Sequence, residues 1–394
     1  MEASRFIARR LPFGGKIPMI SIAISFLVMI VAVSVSSGFR NEIRDGISAL
    51  SGDVQLLSVD MNYISASAPI SAAPSFIGAL DSLSGVERIT PAVYRAGIIK
   101  RGENIHGVLF KGVPKDSSRK DPADTVRLGV AVPKALSELL GIGVGDKLLT
   151  YFVGERVQVR NFTVVREYEA VMDGTDKLIV LADLRDLQRL NGWSGGEVSA
   201  LEVVLRPACR NPSGMRALTA QIGEIALNRI GEADDSLVAT SVQDRYPQIF
   251  DWLNLIDFNV LFILVLMTIV AGFNMISGLL ILLFRNISTI GTLKSVGMTD
   301  RSIAKVFLRV SSGIVLKGMA LGNGIALAFC ALQGATHVLK LNPRNYFVSF
   351  VPVRLNLPAV LAADAAAYLV IMLLLLIPCL FIARVDPAQT VRAQ

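Results

Sequence analysis

One apolar stretch, residues 260–284, limits the possible folds of this chain most strongly, because it contains no charged residue. The hydrocarbon core of a bilayer is about 30 Å thick, and roughly 20 helical residues cross it. The stretch is therefore long enough to form a membrane-spanning helix. Three other apolar stretches are also long enough, so the sequence predicts four transmembrane helices, at residues 17–39, 257–284, 303–333 and 357–383.

The apolar residues are unevenly distributed along the 394-residue chain. Hydrophobic residues make up 52% of the sequence and the mean hydropathy is +0.54, which is too apolar for a soluble protein of this length. Residues 40–250 nevertheless have the mixed composition of a soluble domain. The predicted fold class is therefore a membrane α-helical protein with a large α+β periplasmic domain between the first and second helices.

The chain has a net charge of +7, and the positions of its excess basic residues indicate the membrane topology. The excess of basic residues lies in short segments beside the apolar stretches: the N-terminus 1–16, the loop 285–301 and the tail 384–394. Basic loops stay on the cytoplasmic side of a membrane. Both termini are therefore predicted to be cytoplasmic, residues 40–250 and the short loop 334–356 are predicted to be periplasmic, and no nucleic-acid partner is expected.

The first apolar stretch has an alternative interpretation as a signal peptide cut near residues 34–36. Signal peptides have an apolar region of about 7–15 residues, and residues 17–39 exceed that length. We therefore expect the first helix to be retained.

Residues 40–250 show patterns of both strands and helices. Residues 98–100 and 105–110 flank a turn and predict a β-hairpin. Helices are predicted at 133–140, 183–190 and 214–230. Of the three cysteines, only Cys209 lies in this domain, so no disulfide can form within it.

No catalytic motif is present in the sequence. The two histidines, His106 and His337, do not form a zinc-binding or nucleophilic pattern, and the glycines at 141–145 lack the spacing of a phosphate-binding loop. The chain is therefore predicted not to be an enzyme and to hold no metal or cofactor of its own.

Several residues inside the predicted spans are candidates for helix packing or for a substrate cavity. Gly318 and Gly322 have the spacing that allows close approach of helices in lipid, and Asn274 and Ser277 can form hydrogen bonds between helices. The ionisable Lys317 and Asp364 are predicted at different depths, so we do not expect them to pair. We expect Lys317 to snorkel and Asp364 to face water near the membrane interface.

The loop after the second span predicts a short amphipathic helix that a partner protein could grip. Apolar residues recur in it at three- and four-residue spacing, Gly297 is placed to end it, and Thr299 or Asp300 can cap the next helix. The candidate contact residues are Arg285, Ile287, Ile290, Gly291, Leu293, Lys294, Ser295 and Gly297.

Short motifs that occur in the correct order along the chain resemble FtsX/MacB-type ABC transporter permeases, and most closely the lipoprotein-releasing LolC/LolE family. They are residues 273–279 (FNMISGL) with 290–297 (IGTLKSVG), residues 38–47 (GFRNEIRDGI) with 52–54 (GDV), and residues 386–388 (DPA) near the C-terminus. The chain departs from the family pattern at two places. It has Arg285-Asn286 where Glu-Lys or Glu-Arg is usual, and Gly52-Asp53 where Gly-His is usual.

The resemblance implies a permease subunit in a bacterial inner membrane that releases lipoproteins to a periplasmic carrier. It implies a separate LolD-like ATPase that binds ATP and Mg²⁺, a second permease copy of the same or another chain, lipoprotein substrates and membrane lipid. Residues 287–297 would be the coupling helix that contacts the ATPase. Two alternatives stay open: an FtsX-like permease that regulates a periplasmic hydrolase, and a MacB-like efflux permease, although MacB carries its ATPase in the same chain.

Overall fold

The computed structural model describes residues 16–62, 64, 68–102, 104–114, 126–154, 156–169, 178–228, 237–342, 346 and 348–380. The predicted basic N-terminus (except residue 16), the predicted basic tail and the motif at 386–388 lie outside the described residues. The chain forms two compact units. The membrane unit takes its described residues from Met1–Asn41, Asp251–Lys340 and Phe350–Gln394. The sheet unit takes them from Glu42–Phe250 and Leu341–Ser349.

The described residues form both helices and strands, numbered in chain order. The helices are α1 (Lys16–Ser51), α2 (Ile77–Asp81), α3 (Lys134–Leu140), α4 (Leu184–Asn191), α5 (Pro212–Asn228), α6 (Val242–Arg245), α7 (Pro247–Arg285), α8 (Ile287–Ser295), α9 (Asp300–Thr336), α10 (Leu357–Leu374) and α11 (Leu376–Cys379). The strands are β1 (Val54–Ser58), β2 (Ile70–Ser71), β3 (Val86–Arg101), β4 (Asn104–Val113), β5 (Gly129–Pro133), β6 (Lys147–Phe152), β7 (Gln158–Tyr168), β8 (Leu178–Asp183), β9 (Glu197–Val198), β10 (Ala200–Leu205) and β11 (Leu237–Ser241).

Four helical segments among the described residues are long and apolar enough to cross a membrane, as the sequence predicts. They are α1, α7, α9 and the segment Leu357–Cys379 that contains α10 and α11. The first three contain 36, 39 and 37 residues, so they extend beyond the predicted spans. The fourth is interrupted at Leu375, three residues before Pro378, whose ring cannot continue a regular helix without disturbing it.

The interior of the membrane unit is built from the apolar faces that these helices turn toward one another. Phe26 of α1, Met275 of α7, Phe307 of α9 and Ile371 of α10 are each at most 1% exposed and belong to one cluster. Other apolar side chains, such as Phe262, stay on the outside. Because lipid is as apolar as these side chains, close packing and hydrogen bonds hold such helices together rather than the removal of apolar surface from water.

The sheet unit is organised around β3, a 16-residue strand that pairs with two different neighbours along its length. Its first half pairs with β10 and its second half with β4. The strand order is β11-β1-β10-β3-β4-β8-β5-β7-β6, and a further pairing of β3 with β6 closes the last six strands into a barrel. Phe110, Phe152 and Phe162 pack inside this barrel with ring centroids 4.9–6.1 Å apart.

The local predictions for this unit are confirmed. The β3–β4 hairpin turns between Arg101 and Asn104, and Gly102 takes the left-handed conformation with φ of +59°. Glycine is the residue that adopts this conformation without steric cost. The three predicted helices occur as α3, α4 and α5.

A buried ion pair crosses the sheet between β4 and β10. Lys111 Nζ lies 2.7 Å from Glu202 Oε2, with side-chain exposures of 4% and 6%, and also donates to the carbonyl of Leu50 at 2.5 Å. Tyr94 donates its phenolic hydrogen to Glu202. Burial, and then the negative charge of Glu202, hold the pKa of Tyr94 well above its usual range. The network therefore contains one cation, one anion and a neutral phenol.

Asp53 forms a second buried junction, at the position where the LolC/LolE pattern usually has histidine. Its carboxylate is fully buried and accepts hydrogen bonds from Ser48 Oγ at 2.6 Å and from the backbone N–H of Leu205 at 2.8 Å. Arg210 Nε lies 3.1 Å from the same carboxylate. The junction joins the end of α1 to β10 and to the loop that follows it.

We predict that Lys111→Met will destabilise the protein strongly, because Glu202 would stay buried without its cation. Breaking a buried pair by removing one partner costs about 3–5 kcal/mol. The measurement is the thermal unfolding midpoint of the full chain in detergent. The control is Arg101→Met, which breaks the pair between Arg101 and Asp146 at 3.0 Å, where both side chains are more than 40% exposed. Exposed pairs contribute about 0–1 kcal/mol, so equal shifts for the two variants would contradict the prediction.

Candidate partner-binding helix between the second and third membrane helices

Helix α8 is a separate short helix whose end is defined by Gly297. The backbone N–H of Gly297 donates to the carbonyl of Lys294 at 2.9 Å, and that of Met298 donates to Leu293 at 2.9 Å. These two bonds form a Schellman motif, which requires the residue after the cap to be left-handed. Gly297 has φ of +93°, so glycine suits this position.

The structure separates the candidate contact residues of α8 into two faces. Ile290 and Gly291 are buried in the membrane unit, and Leu293 packs against the same cluster. Ile287, Ser295 and Gly297 are exposed, and so is Val296, at 81%. The surface available to a partner is therefore smaller than the sequence pattern indicates, and it includes Val296, which is not among the predicted contact residues.

Lys294 forms an ion pair with the start of the next helix. Its Nζ lies 2.9 Å from Asp300 Oδ1, in the first turn of α9. A carboxylate in the first turn also interacts favourably with the positive end of the helix dipole. Of the two predicted candidates, Thr299 occupies the N-cap position of α9, but its hydroxyl lies 3.0 Å from that of Ser302 and forms no capping bond to a backbone N–H. The ion pair between Lys294 and Asp300 fixes the turn between α8 and α9.

The segments beside α8 carry exposed basic residues together with exposed apolar side chains, of which Val296 is the most exposed. Arg285, Arg301 and Lys305 are exposed and lie close in sequence to the two ends of α8, and Val296, just after α8, is 81% exposed. An apolar contact surrounded by cations suits a partner groove that is apolar inside and acidic at its rim.

Gly318 and Gly322 lie where α9 packs against α1. A Cβ atom at Gly318 would come within 2.8 Å of Ile22 Cγ2 and 2.9 Å of the Met19 carbonyl oxygen. A Cβ atom at Gly322 would overlap the backbone carbonyl of Ala23. The two helix backbones therefore approach each other too closely for any larger side chain.

The two polar candidates of α7 are both exposed, but they differ in their contacts. Asn274 Nδ2 donates to Ser21 Oγ of α1 at 2.5 Å. Ser277 lies one turn further along the same helix. Asn274 thus forms a hydrogen bond between the first and second membrane helices.

The expectation that Asp364 faces water is wrong. Asp364 is 6% exposed, and its Oδ2 accepts a hydrogen bond from Asn323 Nδ2 at 2.6 Å, which joins α10 to α9. Lys317, by contrast, is exposed on α9. The prediction placed Asp364 by its distance from the helix end, whereas the direction in which α10 turns that side chain decides its burial.

A polar contact between α1 and α7 was not predicted. Asp257 accepts hydrogen bonds from Ser36 and Arg40, and Arg40 reaches Asn254 at 3.3 Å. Phe39 packs beside this contact, edge to face against Trp252. The polar residues of the two helices form no recognisable sequence motif, so this contact could be identified only once the packing of α1 against α7 was known.

The part of the chain that the structure describes contains no candidate cluster for a metal ion. No group of three or more histidine, cysteine, aspartate or glutamate side chains there is close enough to hold a metal ion. The described features of the membrane unit instead concern helix packing and a surface for a partner.

The comparisons with known proteins agree with the resemblance that the motifs indicate. Residues 261–387 match the family model described as FtsX-like permease C-terminal. The lipoprotein-releasing system transmembrane protein LolC of Xylella fastidiosa (strain 9a5c) is 23% identical over 399 aligned residues, which cover 95% of this chain and 92% of that protein. LolC of Neisseria meningitidis serogroup B is 23% identical over 87% of this chain and 86% of its own length.

A relative with a different name aligns over a similar length. The lipoprotein-releasing system transmembrane protein LolE of Haemophilus influenzae is 23% identical over 95% of this chain and 93% of its own length. The chain is therefore similar to both LolC and LolE proteins.

Among solved structures, the periplasmic region of MacB from Actinobacillus actinomycetemcomitans is similar to this chain. The match covers 53% of this chain and 98% of that one, with 12% identity and a TM-score of 0.31.

Proposed function

We propose that this chain, whose residues 261–387 form an FtsX-like permease domain, is the permease subunit of an ABC transporter complex that releases lipoproteins from the inner membrane. The observation that carries the proposal is the length of the similarity to proteins of lipoprotein-releasing systems. The alignments cover 86–93% of those proteins and 87–95% of this chain, so they include the sheet unit as well as the membrane helices.

The energetics of the proposed reaction require a partner that supplies free energy. Each CH₂ group of an acyl anchor that leaves the lipid costs about 0.8 kcal/mol. In the proposal a separate LolD-like ATPase binds ATP and Mg²⁺ and contacts the exposed face of α8. Movement of that helix would then change the packing of α7 and α9, since Ile290 of α8 lies in the same buried cluster as both helices.

The other partners follow from the same proposal. Two permease copies, identical or different, would enclose the lipid anchor between their membrane helices. The sheet unit would be periplasmic and would face the soluble carrier that accepts the lipoprotein. The protein would be a multi-pass protein of a bacterial inner membrane, with both termini in the cytoplasm.

The test is to purify the full chain from its own membrane in detergent and to identify the co-purified proteins by mass spectrometry. An ATPase subunit together with acylated lipoproteins is the expected result. An ATPase with a hydrolase activator and no lipoprotein would favour the signalling alternative, and an ATPase with an outer-membrane channel would favour efflux. Depletion of the chain provides a second readout, because lipoproteins that belong in the outer membrane should then accumulate in the inner membrane.

A further inference from the structure

Strand β11 ends the nine-stranded sheet and has a neighbouring strand on one side only. In the sheet order its partner is β1, and no described strand lies beyond it. The strand at the other end of the order, β6, is covered because it also pairs with β3. The outer edge of β11 is therefore open among the strands that the structure describes.

The register of β11 shows which backbone groups lie on that open edge. The N–H of Val242, directly after β11, donates to the carbonyl of Asp53, directly before β1, at 2.8 Å. Bonded and unbonded residues alternate along an antiparallel ladder. Counting back from Val242, the even-numbered residues of β11 therefore bond to β1. The odd-numbered residues Leu237 and Ala239 direct their N–H and C=O groups away from β1, toward the open edge.

A cavity of about 570 Å³ lies beside this edge, between β11 and α5. Its walls include Leu237, Val238 and Ala239 of the strand and Arg216, Glu224 and Leu227 of the helix. Leu227 and Val238 are 63% and 43% exposed, so a ligand can reach both walls from solvent. A volume of roughly 300–1,000 Å³ is typical of a binding cleft.

The open edge has the chemistry that recognises an extended polypeptide. Leu237 and Ala239 offer two N–H and two C=O groups at the spacing with which a further strand pairs. Addition of a peptide strand to an exposed sheet edge is a recurring mode of recognition, in which main-chain hydrogen bonds provide affinity. Ala239 faces α5, since a Cβ atom at Gly223 would lie 3.5 Å from Ala239 Cβ. Alternate side chains of an added strand would therefore face α5, and the others would lie beside Val238.

The charges around the cavity indicate which kind of segment fits. Glu224 and Asp244 contribute two carboxylates and Arg216 contributes one guanidinium, so the walls carry a net negative charge. A second copy of the chain would bring the same carboxylates to the contact, and like charges disfavour such pairing. We propose that this groove binds an extended basic segment of a partner protein, which adds to β11 as a further strand and places a lysine or arginine beside Glu224. The proposal does not depend on the proposed function.

The first test measures the binding of a synthetic peptide to the full chain in detergent, by fluorescence anisotropy. The probe is Thr-Val-Lys-Val-Thr-Val with an N-terminal fluorescein and a C-terminal amide, and the comparison peptide has glutamate in place of lysine. We expect saturable binding of the lysine peptide and at least roughly threefold weaker binding of the glutamate peptide. Glu224→Lys should reverse that preference. Glu224 is exposed on α5, so this variant should keep the fold.

The second test changes the strand edge itself. Ala239→Pro removes the N–H that faces the groove, and proline is tolerated on an edge strand where the N–H points away from the ladder. The variant should keep the thermal unfolding midpoint of the wild type, whereas Thr240→Pro, which removes a bond to β1, should lower it. Binding of the lysine peptide to Ala239→Pro should be at least roughly tenfold weaker, because an acceptor of the peptide loses its donor.

Three results would overturn the proposal. One is undiminished peptide binding by Ala239→Pro, and another is the absence of saturable binding by the wild type, which would show that the chain itself covers the edge. The third is a change from dimer to monomer in Ala239→Pro, measured by light scattering, which would show that a second copy occupies the edge. Failure of Glu224→Lys to reverse the preference would overturn the assignment of a basic segment.

Discussion

Replacing Gly322 with leucine is expected to prevent the membrane unit from folding. A Cβ atom at this position overlaps the backbone carbonyl of Ala23 in α1, and a backbone carbonyl cannot move aside as a flexible side chain can. Overpacking in a well-packed interior costs about 1–3 kcal/mol, and a contact with backbone should lie at or above the upper end. The measurement is the yield of monodisperse full-length protein after extraction in detergent, which should fall at least roughly tenfold, because one or two kcal/mol already changes the ratio of folded to unfolded protein by a factor of about 5–30.

The matched control is Gly324→Leu, two residues away in the same helix. A Cβ atom at Gly324 meets nothing within 4 Å, and the residue is exposed. Both substitutions add the same side chain to the same helix, so they share any change in helix propensity. If Gly322→Leu gives as much monodisperse protein as Gly324→Leu, the close approach of α9 and α1 is not required.

The second large effect is expected for Gly297→Pro, which should separate the chain from the ATPase that the proposed function requires. Gly297 has φ of +93°, whereas proline fixes φ near −65° and has no N–H to donate to Lys294. The Schellman motif would be lost, and Val296 would be forced out of its present backbone conformation (φ −81°, ψ 0°), which is disfavoured before a proline, so the surface at the end of α8 would change. The ATPase that co-purifies with the permease should fall by at least roughly tenfold, as a loss of about 1.4 kcal/mol in binding implies.

The control for this position is Gly297→Asn, because asparagine tolerates the left-handed conformation better than other residues with a side chain. It should retain most of the ATPase. Both variants should still yield monodisperse permease, since Gly297 is exposed and a Cβ atom added there would meet nothing within 4 Å. Normal recovery of the ATPase with the proline variant would exclude α8 as the contact surface.

The features that could be predicted from the sequence are those with local signals. The four apolar stretches predict membrane helices because length and hydropathy are sufficient to identify a span. The β3–β4 hairpin is predicted because Gly102 lies between two apolar runs, and the end of α8 because Gly297 follows its last apolar residue. In each case one short segment carries the whole signal.

The features that could not be predicted depend on residues far apart in the sequence. Lys111 and Glu202 are 91 residues apart, and nothing in either segment indicates the partner. Asp364 and Asn323 meet because α10 and α9 turn those faces toward each other, which hydropathy does not specify. For the candidate site, spacing identified α8 as amphipathic but could not show that the face with Ile290 is buried within the chain's own membrane unit.

The strand order of the sheet unit also has a consequence for how the protein is made. Strand β1 pairs only with β10 and β11 among the described strands, whereas the barrel strands β3 to β8 pair with one another, and only β3 also pairs with β10. At about 5–20 residues per second, the ribosome needs roughly ten to forty seconds between the end of β1 and the end of β11. During translation the barrel can therefore form first, while both edges of β1 stay unpaired until β10 and β11 have been synthesised. Unpaired strand edges are prone to aggregate, so the nascent chain is most vulnerable in this interval, and a chaperone that binds extended segments would be of most use then.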